Sequence, residues 1–199
     1  MALLTLTLAA YLIGSVSFAV IVSRVFSLPD PRSYGSGNPG ATNVLRSGRK
    51  SAAALTLLGD VAKGWLAVFL ARSFADAGMI EATESAAAVA VVLGHMYPVF
   101  HRFQGGKGVA TVLGALTGLN LYLAGGALAT WLIIAVFFRI ASLASIVSAV
   151  FAPVFCYLLY GLHVFTLAVA VIAPLIIYRH WSNIRKLLAG TESRLGSRS

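Results

Sequence analysis

Long apolar segments separated by short polar ones run through almost the whole chain. The apolar segments lie at about 2–26, 51–73, 85–100, 109–120, 121–138, 141–160 and 163–180. Most of them approach the roughly 17–25 residues that an α-helix needs to cross the hydrocarbon core of a bilayer. The pattern therefore predicts an all-α, polytopic transmembrane bundle of about seven spans.

The stretch 109–138 leaves the number of spans open. It is only about thirty residues long and has a polar break at Asn120. Seven spans is the favoured prediction, and five is the rival if this stretch crosses as a single tilted helix. The rival would place Arg139 on the face opposite to the other cations.

Composition excludes a soluble protein. Of the 199 residues, 59% are hydrophobic and 11% are charged, and the mean hydropathy is +0.88. Soluble domains are roughly 45–50% apolar. Because the spans use nearly the whole length, we expect residues 1–199 to form a single integral membrane domain.

The placement of charge predicts the orientation of the bundle. With seven spans, one face carries Arg24, Arg32, Arg46, Arg49, Lys50, Arg102, Lys107, Arg139, Arg179, Arg185, Lys186, Arg194 and Arg198. The other face carries Asp76, Glu81 and Glu84. The positive-inside rule makes the cationic face cytoplasmic, with the N-terminus outside and the C-terminus in the cytoplasm. Since topology accounts for the net charge of +9, this charge does not indicate a nucleic-acid partner.

The first polar loop combines glycines with hydrogen-bonding side chains. It reads Gly35-Ser36-Gly37-Asn38-Pro39-Gly40-Ala41-Thr42-Asn43. Its glycine spacing matches a dinucleotide-binding motif, but that motif requires a preceding strand, so we keep only the anion-binding physics. Glycines let backbone N–H groups approach an anion, and the polar side chains add hydrogen bonds. An ordinary turn in which Thr42 or Asn43 caps the next helix fits the same residues.

The second polar loop surrounds a lysine with glycines. It reads Arg102-Phe103-Gln104-Gly105-Gly106-Lys107-Gly108-Val109-Ala110-Thr111. It is not a P-loop, because Gly108 stands where that motif has Ser or Thr. It still brings N–H groups, a helix N-terminus and a cation together, as a phosphate site requires. A flexible loop with a topology-setting lysine is the alternative.

A third polar patch follows the last span. His180 and Asn183 are three residues apart and share a helix face, so their side chains could point back over the two loops. A basic amphipathic tail that rests on anionic headgroups is the alternative.

The remaining ionisable residues offer little chemistry. Asp60 and Lys63 lie within a predicted span and are expected to pair as structural support, with a functional role as the alternative. His95 is expected to be a core residue, and His163 to have no role. With four histidines, few carboxylates and the single cysteine Cys156, the sequence predicts no metal site and no other cofactor.

Three motifs, in this order and over essentially the full length, are similar to those of the bacterial acyl-phosphate glycerol-3-phosphate acyltransferase (PlsY) family. They are 36–43 with Arg46, then 103–111, then Arg179-His180 with Asn183-Ile184 and Glu192. The chain departs from the family pattern at Gln104, where many relatives carry Lys. This departure implies a slightly weaker attraction of anionic substrates.

The resemblance implies a multi-pass enzyme of the bacterial inner membrane with its site at the cytoplasmic face. It would make lysophosphatidic acid and phosphate from acyl phosphate and glycerol 3-phosphate. The implied catalytic residues are Ser36, Lys107, His180 and Asn183. The implied substrate-binding residues are Gly37, Asn38, Gly40, Thr42, Asn43, Arg46, Gly105, Gly106, Gly108 and Glu192. The acyl chain would lie between helices, where small residues would make room: Gly59, Gly64, Gly114 and Gly118. The oligomeric state stays open, and a monomer is compatible with the sequence.

Two mechanisms and a second function stay open. In substrate-assisted catalysis, Ser36, backbone N–H groups and Lys107 hold the acyl phosphate, whose own oxygen accepts the glycerol hydroxyl proton. In the competing mechanism, His180 is a general base and Ser36 an acylated nucleophile. The alternative function is a membrane transporter of phosphorylated anions. It is disfavoured because the polar clusters gather on one face and no internal repeat is visible.

Overall fold

The bundle is helical throughout the part of the chain that the computed structural model describes, residues 1–196. Its helices are α1 (Ala2–Ser15), α2 (Phe18–Val25), α3 (Ala41–Leu45), α4 (Lys50–Phe74), α5 (Ile80–Met96), α6 (Val109–Leu119), α7 (Leu121–Phe138), α8 (Ala141–Tyr160), α9 (Val164–Arg179) and α10 (Trp181–Leu188). A 3₁₀ turn, Val99–His101, follows α5. The all-α prediction is confirmed. Arg198, which the topology prediction included, lies outside the described residues.

Length and composition mark four segments of residues 1–196 as able to cross a membrane. They are Ala2–Val25, α4, α7 and α8. A fifth is added if α9 and α10, which are bent by 59° relative to each other, are taken as one span. The number of crossings and the side that each terminus faces stay predictions.

The first predicted span contains a break that the hydropathy pattern does not show. Helix α1 ends at Ser15 and α2 begins at Phe18, with extended backbone at Val16 and Ser17. The carbonyl oxygen of Val16 accepts a hydrogen bond from Lys63 Nζ at 2.7 Å. A tertiary contact from α4 thus satisfies a backbone group that the break exposes.

Extended backbone at Asn120 separates α6 from α7. Asn120 caps α7 by accepting a hydrogen bond from Leu123 N at 3.0 Å, and it donates to Tyr160 Oη at 2.7 Å. The carbonyl oxygen of Arg139, directly after α7, accepts a hydrogen bond from Leu195 N in the C-terminal segment, which follows α10. The stretch 109–138 is therefore two segments and not one tilted helix. Helix α6 alone has 11 residues and spans about 16 Å, less than the roughly 30 Å hydrocarbon core.

The glycines of α4 and α6 serve close helix packing. A Cβ on Gly64 would overlap the carbonyl oxygen of Thr111, and a Cβ on Gly114 would overlap that of Val61. The other two fill similar positions, Gly59 against Phe18 and Gly118 against Val68. The prediction that these four glycines make room for an acyl chain is wrong, because the space above each is already filled by a neighbouring helix.

Three of the acidic residues, Asp76, Glu81 and Glu84, lie at the end of the bundle far from the glycine-rich loops. Glu84 is buried and pairs with Arg72, and Asp76 lies 3.8 Å from the N-terminal ammonium. Glu81 contacts His163 Nε2 at 3.1 Å, and His163 Nδ1 accepts a hydrogen bond from Phe165 N at the start of α9. His163 therefore caps a helix, which corrects the expectation that it has no role.

Candidate active site

Asn43 shapes the first polar loop from inside α3. Its side chain is buried, accepts a hydrogen bond from Ser36 N at 2.9 Å, and donates to Pro31 O at 2.7 Å and to Tyr34 O at 3.1 Å. Its amide groups are thus occupied by the loop backbone. Asn43, which the resemblance placed among the substrate-binding residues, holds the loop in shape.

The same loop exposes other predicted residues. Ser36 and Gly37 are exposed and Asn38 is half-buried, so the hydroxyl of Ser36 is open to solvent. Gly40 is the N-cap of α3, and no side chain caps that helix. The alternative in which Thr42 or Asn43 caps α3 is therefore wrong, and Thr42 is exposed.

The second polar loop packs its glycines against the end of α5. Gly106 N donates to the carbonyl oxygen of His95 at 3.1 Å. A Cβ on Gly106 would meet the imidazole of His95 and the carbonyl oxygen of Pro39. Because Pro39 belongs to the first loop, the two glycine-rich loops meet at this point. Gly108 is the N-cap of α6, and its φ of +85° is a conformation that favours glycine.

Arg179 holds the backbone of the second loop. Its Nε donates to Gly106 O at 3.1 Å and its Nη2 donates to Gly105 O at 2.7 Å. Its guanidinium also lies 5.4 Å from the centroid of the Tyr97 ring, within range of a cation–π interaction. The end of α9 is thereby fixed to the loop.

A chain of hydrogen bonds connects Lys107 to the C-terminal segment. Lys107 Nζ donates to Asn183 Oδ1 at 2.5 Å, and Asn183 Nδ2 donates to Glu192 Oε1 at 2.6 Å. The same carboxylate oxygen accepts a hydrogen bond from Ser142 Oγ at 2.6 Å. Three residues that the sequence separates by 76 and 9 positions therefore form one connected group.

Arg46 reaches the same C-terminal segment from the first loop. Its Nη2 donates to Ser193 Oγ at 2.9 Å, and its side chain is exposed. The segment that follows α10 thus contacts both Arg46 and, through Glu192, the Lys107 group. Arg46, Lys107, Asn183 and Glu192 therefore lie at one end of the bundle, as predicted.

Burial and neighbouring charges lower the pKa of Lys107. Its pKa is about 8, below the usual 10.5, because the half-buried ammonium is desolvated. Glu192 opposes this shift, whereas the positive charges of Arg179, Lys186 and Arg46 reinforce it. The site therefore concentrates positive charge around a lysine that is still mainly protonated at pH 7.

His180 is buried at the bend between α9 and α10. Its Nδ1 lies 2.8 Å from Ile176 O. Since a carbonyl oxygen only accepts, Nδ1 carries the proton, and a neutral imidazole then has its lone pair on Nε2. His180 is thus able to accept a hydrogen bond through Nε2.

Sequence reasoning missed several residues that build the site. His95, Ser142 and Ser193 contact predicted residues, and no motif marked them. Arg179 belonged to the third motif, but its role as holder of the loop carbonyls was not predicted. Within residues 1–196, no three His, Cys, Asp or Glu side chains are grouped as metal ligands would be.

Comparisons with known proteins agree on one family. The family model described as glycerol-3-phosphate acyltransferase matches residues 4–190. Proteins of that name from Cupriavidus necator and Ralstonia pickettii are 61% identical over 199 residues and 63% identical over 192 residues. These alignments cover 100% and 96% of this chain, and 98% and 93% of the relatives. Two crystal structures of PlsY (YgiH), an integral membrane glycerol 3-phosphate acyltransferase, are 38% identical in sequence. One is the glycerol 3-phosphate form and the other the lysophosphatidic acid form, with TM-scores of 0.90 and 0.89. Each match covers 98% of this chain and 96% of the other.

Proposed function

Because this chain belongs to the glycerol-3-phosphate acyltransferase family, we propose that it acylates glycerol 3-phosphate at the end of the bundle where its two glycine-rich loops meet. The acyl donor in this proposal is an acyl phosphate, and the products are lysophosphatidic acid and inorganic phosphate. The observation that carries the proposal is the group formed by Lys107, Asn183 and Glu192, with Arg46 bound to the same C-terminal segment.

The charge of this group suits a phosphate monoester as acceptor. Arg46 and Lys107 supply two cations at the site, and charge-assisted hydrogen bonds to phosphate are roughly twice as strong as neutral ones. Arg46 can bind two phosphate oxygens through its planar guanidinium, whereas Lys107 acts as a point charge. In the proposal, His180 Nε2 and the second N–H of Asn183 Nδ2, whose first N–H bonds to Glu192, bind the glycerol hydroxyls.

An acyl phosphate suits the same site as donor. It is a mixed anhydride whose phosphate leaves readily, so the protein has to position it and stabilise charge. In the proposed step, the glycerol hydroxyl oxygen attacks the carbonyl carbon, the bond between that carbon and the phosphate oxygen breaks, and inorganic phosphate leaves. The donor's own phosphate oxygen takes the hydroxyl proton, while Ser36, loop N–H groups and Lys107 hold the donor.

The surroundings of Ser36 favour this substrate-assisted version. An acylated serine needs a base within hydrogen-bond reach of its hydroxyl. In residues 1–196 the Ser36 hydroxyl has no hydrogen bond to a histidine or carboxylate, and only its backbone N–H is bonded. His180 as general base is the competing mechanism. Trapping of an acyl-Ser36 intermediate would support that mechanism and contradict the substrate-assisted one.

The proposal includes the setting of the enzyme. Many cationic residues lie at the loop end, and Asp76, Glu81 and Glu84 lie at the far end. By the positive-inside rule, this distribution supports a bacterial inner membrane protein whose site faces the cytoplasm. Glycerol 3-phosphate would then enter from water, and the acyl donor from the bilayer. The whole chain is proposed to act as a single domain.

Phosphate release from palmitoyl phosphate by the purified protein tests the proposal. Release should require glycerol 3-phosphate, and mass spectrometry should find lysophosphatidic acid in equal amount. Lys107→Ala should abolish the reaction. Lys50→Ala removes an exposed cation at the start of α4 and should preserve it.

Two other results would contradict the proposal. Turnover with palmitoyl-coenzyme A in place of palmitoyl phosphate would contradict the proposal that the acyl donor is an acyl phosphate. A folded wild-type protein without any acyl transfer would shift weight to transport of phosphorylated anions, which flux into liposomes measures.

A further inference from the structure

A buried polar cluster lies beneath the second glycine-rich loop. Its members are Asp60 and Lys63 on α4, His95 on α5 and Thr111 on α6, each no more than 8% exposed. Asp60 Oδ1 lies 2.9 Å from Lys63 Nζ, so the pairing predicted from their spacing is confirmed. Such groups are costly at membrane depth unless they are paired, so the cluster has to be maintained by its own contacts.

His95 connects this cluster to both sides of the loop. Its carbonyl oxygen accepts the hydrogen bond from Gly106 N, and its Nδ1 lies 3.1 Å from Thr111 Oγ1 in the first turn of α6. Its imidazole also lies against Gly106, where a Cβ would overlap it. Lys107 lies between these two attachment points.

The Asp60–Lys63 pair lies beside the imidazole of His95. Asp60 Oδ1 is 3.6 Å from His95 Nδ1, and Lys63 Nζ is fixed in turn by the carbonyl oxygen of Val16 at the break between α1 and α2. The contacts therefore run from the first helix, through α4 and α5, to the loop. A loop with three glycines has few side chains of its own to fix its conformation, so its order depends on such neighbours.

We infer that His95 and Thr111 are positioning residues for Lys107, and that the buried Asp60–Lys63 pair holds them in place. The inference rests on the proposed function for the role of Lys107. It concerns residues that the resemblance places neither among the catalytic nor among the substrate-binding residues. A positioning role differs from a purely structural one because loss of the contact misplaces Lys107 in a protein that is still folded.

Substitution of Thr111 provides the main test. Thr111→Val keeps the shape of the side chain and removes the hydroxyl, whereas Thr111→Ser keeps the hydroxyl. Thr117→Val is the matched control, since Thr117 lies on the same helix and bonds only to Leu113 O within it. Thr111→Val should lower kcat about tenfold and raise KM for glycerol 3-phosphate, while Thr111→Ser and Thr117→Val stay within about twofold of wild type.

Labelling of lysines by an amine-reactive reagent gives a readout that does not depend on turnover. Mass spectrometry should show Thr111→Val changing the labelling of Lys107 at least about threefold relative to exposed Lys50. Buried Lys63 reports opening of the bundle, and its labelling should stay unchanged. The opposite result is altered labelling of Lys63 with an unchanged kcat per folded molecule. It would mean that the cluster only stabilises the bundle, and it would overturn the inference.

A second pair of variants keeps the inference falsifiable if Thr111→Val does not fold. His95→Asn places an amide nitrogen close to the position of Nδ1, whereas His95→Gln places one close to Nε2. The contacts seen at Nδ1 predict that His95→Asn retains more activity and more of the normal Lys107 labelling. Equal behaviour of the two variants would overturn the inference. Wild type without turnover would count against the proposed function alone, because the labelling results still report on the loop.

Discussion

The rate of acyl transfer is expected to fall as the pH rises above about 8, because Lys107 loses its positive charge. Burial, reinforced by neighbouring cations and opposed by Glu192, lowers the pKa of Lys107 to about 8. An amine is protonated below its pKa, so Lys107 is mainly charged at pH 7 and neutral well above pH 8. A phosphate that relies on this charge binds more weakly on the alkaline side.

The size of the effect follows from the protonated fraction. This fraction is about one half at pH 8 and about one tenth at pH 9, so kcat/KM for glycerol 3-phosphate should fall about tenfold per pH unit above 8. Glu192→Gln removes the carboxylate that raises the pKa of Lys107. In that variant the decline should begin at a lower pH.

The assay is phosphate release from palmitoyl phosphate between pH 6 and 10, for wild type, Glu192→Gln, Lys107→Arg and the control Lys50→Arg. Both substrates ionise identically in every reaction, so differences between variants belong to the protein. Lys107→Arg should be slower, because a guanidinium does not reproduce the ammonium position, but it should lose the alkaline decline. A wild-type rate that stays level to pH 10, or a Glu192→Gln profile displaced to higher pH, would refute the reasoning.

Three further outcomes follow from the contacts of the site and its supports. Arg46→Lys should raise KM for glycerol 3-phosphate about tenfold without lowering the melting temperature, since a forked contact is lost at an exposed position; steady-state kinetics and thermal unfolding measure this. Gly106→Ala should lower the free energy of unfolding by about 1–3 kcal/mol, because its Cβ would overlap neighbouring atoms, whereas Gly125→Ala meets open space and should not; thermal unfolding by circular dichroism compares the two. Asp60→Asn alone should destabilise the protein more than Asp60→Asn combined with Lys63→Met, because the single change leaves a buried ammonium uncompensated; denaturant unfolding of both variants checks the order.

Hydropathy predicted most helices within a few residues. The segments 121–138 and 141–160 match α7 and α8, and 51–73 differs from α4 by a single residue at each end. The break at Val16 was not predicted, because the segment Ala2–Val25 is apolar as a whole and the serines on either side of Val16 are compatible with a continuous membrane helix. It is visible only when Lys63, 47 positions away, is seen to bond to the freed carbonyl.

The types of residue that form the candidate site were predictable from the sequence, but their hydrogen-bond partners were not. A glycine-rich loop with a lysine indicates anion binding from local chemistry alone, and Lys107 lies at the centre of the connected group. The role of Asn43 depends on whether its amide faces a ligand or the backbone, and only the folded loop decides that. Ser142 and Ser193 are ordinary serines in sequence. They matter because the C-terminal segment folds back over the site.

The charge balance around Lys107 connects the shape of the site to its proposed substrates. Arg179 is occupied by two loop carbonyls, and the single carboxylate of Glu192 is shared between Asn183 and Ser142. Around Lys107, the positive charges of Arg179, Lys186 and Arg46 therefore outnumber the negative charge of Glu192, and they contribute to the low pKa of Lys107. A bound phosphate dianion would reverse this contribution and raise the pKa, so binding and proton uptake at Lys107 should favour each other. The excess of positive charge that disfavours the ammonium form of Lys107 in the isolated site is thus expected to favour the binding of substrates that carry phosphate.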